Sequence, residues 1–270
     1  TIKKFFSSLN IKTYYFFVSV GMMPFCFKSI SKICTRVFFP FYACKSITEM
    51  VLPSTVKSIS TIFTNCESLE TVKIPSSVTT IGSAAFANST ALTNVEIPNS
   101  VTEIGEDVFN GCDALTNIAI PNSVTNIGSY AFLFCVGLEA VTIPDSVTSI
   151  GSYAFYDCSN LTHIYYRGRL SQWNAIEKGS NWDSDTASYT IHCTNGEIAK
   201  DGTVTVHPSE GLEFALNNGS YSVTGIGTCT DTDIIIPATY NGLPVTSIGS
   251  QAFRNCTSLT SITIPDSVTS

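Results

Sequence analysis

The chain has 270 residues, enough for one large core or two modest domains. Hydrophobic residues make up 44% and charged residues only 13%, a balance that excludes a disordered polymer. The formal net charge of −7 argues against a nucleic-acid partner, because phosphate binding needs clustered Lys and Arg.

The charge is unevenly spread. Residues 1–48 hold seven Lys or Arg and no acid, which leaves seven bases against all 21 acids in the remainder. Between Lys12 and Lys28 runs the uncharged stretch "TYYFFVSVGMMPFCF". It is shorter than the roughly 20 apolar residues a membrane span needs. Two readings of residues 1–28 stand: a secretory signal, with "KKFFSSLNIK" as its basic region, or a degenerate aromatic cap on the residues after it. The chain begins without Met and stops inside a motif, as a piece of a longer protein would.

From residue 29 to residue 166 the chain repeats itself. Pro75, Pro98, Pro121 and Pro144 stand 23 residues apart. Each is followed at fixed offsets by a glycine (Gly82, Gly105, Gly128, Gly151) and a phenylalanine (Phe86, Phe109, Phe132, Phe155). Cysteine follows Phe by three at Cys66, Cys112, Cys135, Cys158 and Cys256, with Ser89 in its place once. Weaker copies flank this core, with Ser60 and Cys34 in place of the glycine and extra residues near Pro40. A period of this length marks a solenoid whose units cannot fold singly and must stack.

One copy gives the expected coil. In "LTNVEIP", Leu92, Val95 and Ile97 turn inward while Asn94 and Glu96 face solvent, the alternation of a strand. Proline ends that strand because it has no N–H for the ladder. "SVTEIG" forms a second apolar edge through Val101 and Ile104, and Gly105 allows the turn after it. "SYAF" is read as a short helical or 3₁₀ turn on the convex side. The predicted fold class is therefore an α/β repeat solenoid, a stack of 23-residue units with short parallel strands on the concave face, interrupted by a capping segment. Phe86, Phe109, Phe132 and Phe155 are its expected internal stack.

The pattern "IPxSVTxIGxxAFxxC…LTxVxIP" resembles the BspA-type, or Treponema-type, leucine-rich repeats of bacterial surface antigens. The resemblance covers residues 29–166 and 237–270. It implies a leucine-rich-repeat fold and a secreted or cell-surface protein, since BspA-like proteins are associated with attachment to host matrix proteins.

At Arg167 the repetition breaks. "LSQWNAIEKG" places Leu170, Trp173 and Ile176 at three-residue spacing before a glycine, which predicts a short amphipathic helix. A stacked solenoid needs a terminal unit with a polar outer face, so residues 167–218 are read as cap and connector. "GEIAKDGTVTV" and "ALNNGSYSVTG" read as paired strands, with turns at Asp201-Gly202 and Asn218-Gly219. Residues 219–270 then begin a second, truncated array, with five extra residues between Pro237 and Gly249.

The chemistry-bearing motifs are few. His163, His192 and His207 are the histidines, and His192 beside Cys193 lacks metal-ligand spacing. No nucleotide, hydrolase or zinc-protease signature occurs, and the acids are not paired. We therefore expect no enzyme, no cofactor, no metal site, no small-molecule substrate, and no membrane contact beyond a signal or an anchor outside the sequence. Equivalent residues on stacked strands lie about 4.8 Å apart, too far for the Cβ separation of about 3.8 Å that a disulfide takes. Cys112, Cys135 and Cys158 are accordingly read as a buried column of free thiols. Cys26, Cys34, Cys193 and Cys229 fall outside it, and their redox state stays open.

What remains is surface. The outward strand positions Asn94, Glu96, Asn117, Thr142, His163 and Tyr165 vary between copies, and they are the candidate binding surface for proteins or glycans. The alternative is a passive scaffold or spacer that displays another domain.

Overall fold

The structure, a computed structural model, describes residues 37–38 (backbone only) and 41–270. The signal-or-cap reading of residues 1–28, Cys26, and the weak copy around Cys34 lie outside them. The chain packs as two compact units, one ending at His192 and the other spanning Cys193–Ser270.

In the first unit the described coils contribute short strands to one parallel sheet and longer strands to a second face. One sheet is made of short strands, in the order Val37–Phe38, Ser58–Ser60, Thr80–Ile81, Glu103–Ile104, Asn126–Ile127, Ser149–Ile150 and Glu177–Lys178. These come from the "SVTxI" edge, which is thus a true second sheet. The other face carries longer strands from "LTxVxI". Glu49–Val51, Thr71–Lys73 and Asn94–Glu96 form one run; Asn117–Ala119, Ala140–Ile143, His163–Tyr166 and Thr190–Cys193 form the next. Register is set by the period: Val72 lies beside Val95, Ile118 beside Val141, and Val141 beside Ile164. The expected alternation appears as buried Val95 between exposed Asn94 and Glu96. Between the strands, "PxSV" closes a turn in which the Val N–H bonds back to the Pro carbonyl, as at Val101 and Pro98, 3.0 Å.

The α/β expectation needs correction. Among the described residues the helix present is Leu170–Ala175, with Leu170 and Trp173 buried; the "AF" segments are not helical. Their N–H groups bond outward to the next coil rather than back along the chain. Ala84, Phe86 and Asn88 donate to the carbonyls of Glu106, Val108 and Asn110, at 2.9, 2.9 and 2.6 Å. The next coils repeat this from Asp107, Phe109 and Gly111, and again from Tyr130, Phe132 and Phe134. Aiming alternate N–H groups along the stack requires left-handed backbone at the first and last of each three, for example φ 52° at Ala84 and 57° at Asn88. A left-handed residue ends any helix, at a cost of roughly 1–2 kcal/mol for an L-residue. The first of these columns runs Thr61, Ala84, Asp107, Tyr130, Tyr153, Asn181; the last runs Asn65, Asn88, Gly111, Phe134, Asp157, Asp185. Ladder bonds to the neighbouring coil replace helical bonds, and the fold is a solenoid of strands and turns.

The repeat glycines also serve differently from the expectation that they permit a turn. Gly105, Gly128 and Gly151 are not left-handed; they lie where coils touch. A Cβ on Gly128 would fall 2.6 Å from the Gly105 backbone, and one on Gly151 2.3 Å from the Ser129 nitrogen.

Inside, Phe41, Phe63, Phe86, Phe109, Phe132 and Phe155 stack near-parallel, with ring centroids 5.0–5.6 Å apart. Trp182 meets Phe155 edge-on at 6.1 Å and ends the column. Trp173 and Tyr189 pack around Trp182. Beside the rings, the thiols of Cys112, Cys135 and Cys158 donate to the carbonyls of Phe86, Phe109 and Phe132, at 3.3, 3.0 and 3.1 Å. Ser89 makes the same bond to Phe63, at 2.8 Å, which explains why serine can replace cysteine there. Burial raises all three thiol pKa values, that of Cys135 to about 12.

The second unit begins with a hairpin, Gly196–Ala199 against Val204–Val206. A second hairpin pairs Glu213–Asn217 with Ser220–Gly225 through left-handed Asn218 and Gly219. The extra residues after Pro237 form a third, Thr239–Tyr240 against Leu243–Ile248, with left-handed Asn241 and Gly242. Parallel pairing resumes between Asp233–Ile235 and Ser261–Thr263, over a core that includes Val223, Ile234 and Val245.

Two measurements check this architecture. Gly128→Ala is expected to lower stability by about 2–3 kcal/mol, because its methyl group meets backbone that cannot move aside. Ala84→Gly, which relieves a left-handed alanine, should leave stability unchanged or raise it by up to about 1 kcal/mol; equal losses from the two in thermal unfolding would refute the coil-contact account. The thiols give the second check. Cys112, Cys135 and Cys158 should resist alkylation in the folded protein and all react once it is denatured without reductant; a bridge between any two would overturn the column. Because folding raises their pKa above the ordinary value of about 9, their contribution to stability is complete below pH 9. It should fade as the pH rises from there, for Cys135 toward 12.

Candidate binding surface

The outward positions of the long-strand face line up by register. Asn117, Ala140, His163 and Thr190 form one row across the second run of strands, and Ala119, Thr142, Tyr165 and His192 form the next. In the first run Asn94 follows Thr71, and Glu96 follows Lys73. The two runs adjoin without pairing between Asn94–Glu96 and Asn117–Ala119. Over this seam lies a groove of about 670 Å³. Its polar lining includes Asn94, Glu96, Asn117, Thr142, Tyr165 and Arg167. Ala119 and Ala140 also line it, and these small side chains leave its middle open.

Five of the six candidate residues thus share one groove: Asn94, Glu96, Asn117, Thr142 and Tyr165. His163 does not line it and stands beside it. Its Nδ1 lies 3.0 Å from Nε2 of His192, and the Tyr165 ring stacks on His192 with centroids 4.9 Å apart. Tyr165 also stacks on His163 with centroids 5.8 Å apart, lines the groove, and is 44% exposed. Phe86, Phe109, Phe132 and Phe155 and the three column thiols are buried, away from this surface.

Sequence reasoning missed two contributors. Arg167 occupies the position of the repeat proline, 23 residues after Pro144, so it reaches back over the preceding coils; its Nη1 donates to the side-chain oxygen of Asn122 at 3.2 Å. That register was legible. His192 was hidden because an insertion lengthens the spacing from His163 to its ladder partner Thr190. Among the described residues no group of three or more His, Cys, Asp or Glu is placed to hold a metal, and no helix is long and apolar enough to cross a membrane. The surface can offer amide and carboxylate hydrogen bonds, one guanidinium and an aromatic wall.

Residues 38–162 and 228–270, more than half of the chain, match the family described as the BspA type Leucine rich repeat region, in 6 copies. No curated protein matches the sequence. Among solved structures, a leucine rich cell surface protein from Faecalibacterium prausnitzii is 43% identical over 48% of this chain and 35% of its own, with a TM-score of 0.47. The leucine-rich-repeat protein of T. pallidum is 32% identical over 52% of this chain and 63% of its own, also with a TM-score of 0.47. A leucine-rich-repeat protein from Bacteroides ovatus is 22% identical over 88% of this chain and 78% of its own, with a TM-score of 0.38. The chain spans less than two thirds of the length of the first two.

Proposed function

The chain belongs to the BspA-type leucine-rich-repeat family, and from that premise we propose that it is a recognition or adhesion module. It would hold a matrix protein, another surface protein or a glycan on the long-strand face of its first array, outside the cell or on its surface. One observation supports this reading above the rest. The residues that build the coil recur, as at Gly105, Gly128 and Gly151, while one outward strand position along the groove carries Glu96, Ala119, Thr142 and Tyr165 in successive coils. Specificity can be written at such positions without disturbing the scaffold. Tyr165 offers more contact area than the alanines and threonine beside it. The matched family is one of repeats and indicates no catalytic class.

The test uses fibronectin as the probe matrix glycoprotein, with the purified chain and a His163→Ala/Tyr165→Ala variant compared by surface plasmon resonance. Binding by the chain and a loss of about tenfold or more in the variant is the expected result, equivalent to about 1.4 kcal/mol. Equal binding by both rules out this surface. Absence of binding by either favours the scaffold reading.

A further inference from the structure

A second surface lies in the turns after the short-strand sheet, and it shares no residue with the groove. The left-handed columns are mostly filled by residues that suit that backbone: Asn65, Asn88, Gly111, Asn181. At three neighbouring places they are filled by aromatics instead: Tyr130 (φ 59°), Phe134 (58°) and Tyr153 (57°). A bulky side chain in this conformation is held against its preference, and such strain gathers where a site needs the side chain.

The three aromatics, joined by Tyr156, form one ridge. Tyr130 and Tyr153 stack at 5.4 Å, Tyr153 and Tyr156 lie 5.5 Å apart, and Phe134 meets Tyr156 edge-on at 6.0 Å. Phe134 is 45% exposed, and the tyrosines are half-buried. The ridge is held from the cap side, where Asn181 donates to the Tyr153 hydroxyl at 2.9 Å, and the nearby Asp185 raises the Tyr156 phenol pKa. Fixed rings lose little freedom when a ligand arrives.

The electrostatics select the ligand. Residues 74–166 contain eight acids and neither Lys nor Arg. Asp107 precedes Tyr130 in its column, and Asp157 and Asp185 come after Phe134 in the other. Electron-rich ring faces framed by carboxylates attract cations. We infer that the ridge of Tyr130, Phe134, Tyr153 and Tyr156, rimmed by Asp107, Asp157 and Asp185, is a docking site for an arginine- or lysine-rich segment of a partner protein.

The left-handed backbone supplies a variant that should not unfold. Tyr130→Asn/Phe134→Asn/Tyr153→Asn places at each site a residue type already found in the same columns, at Asn88 and Asn181. The probe is a ten-residue alternating Arg-Gly peptide, with a peptide of the same length carrying citrulline for arginine, titrated calorimetrically against the full chain. The expected result is binding of the arginine peptide at least about tenfold tighter than the citrulline peptide, weakened by salt, and lost about tenfold in the triple variant. The variant's melting temperature should equal or exceed that of the parent. Phe134→Asn alone should show a smaller loss in the same direction. Undiminished binding by the variants would mean diffuse attraction to an acidic protein and overturn the site. Equal affinity for the citrulline peptide, or binding of neither, would overturn the cationic ligand.

Discussion

Successive coils of the first unit approach one another as closely as strands in a sheet, and most of its features derive from that spacing. The phenylalanine rings stack at 5.0–5.6 Å because their backbones are laddered on both sides. The same closeness leaves no room for a Cβ at Gly128 or Gly151. It also recruits the turn segments into the ladder, so that Ala84, Phe86 and Asn88 bond to the following coil. Each coil is thus incomplete without its neighbours: its carbonyls, rings and glycine surfaces are finished by the next.

The period made much of this legible. Pro75 to Pro144 announced the coil length, and the Thr-Asn-Val-Glu-Ile alternation identified the long strands and their outward residues. Helix in the "AF" segments was the misreading, because periodicity reports which side chains turn inward and not where backbone N–H groups bond. "SYAFLF" satisfies a helical turn locally; contacts 22 residues away decide otherwise, as in Phe132 to Ala154. The Asn241-Gly242 hairpin carried a turn signal in the sequence but read as mere extra length. For the groove, the outward strand positions named most of the lining. Arg167 kept the 23-residue count from Pro144 and could have been read, whereas the neighbourhood of His192 depended on register across the break in repetition, where that count no longer holds.

The side-chain chemistry is sorted by direction. Inward positions carry Phe, Cys and branched aliphatics that recur from coil to coil. Long-strand outward positions carry amides, small residues and then the Tyr165–His192 pair. The turns carry a third set, where residues suited to left-handed backbone give way to aromatics beside acids. A single scaffold thereby presents two chemically distinct surfaces, one built on strands and one on turns, and a change in either need not disturb the stacked interior.

The seam between Asn94–Glu96 and Asn117–Ala119 has a mechanical consequence. A pull along the stacking direction loads the coils in series, and elsewhere in the first unit that load is shared by long-strand ladder, short-strand ladder and turn ladder. Across the seam the long-strand ladder is missing. Glu103–Ile104 still pairs with Asn126–Ile127, and Phe86 still stacks on Phe109. The junction is therefore held by the short strands, the turns and the ring stack without the long strands, so bonding between coils is thinner beside the groove.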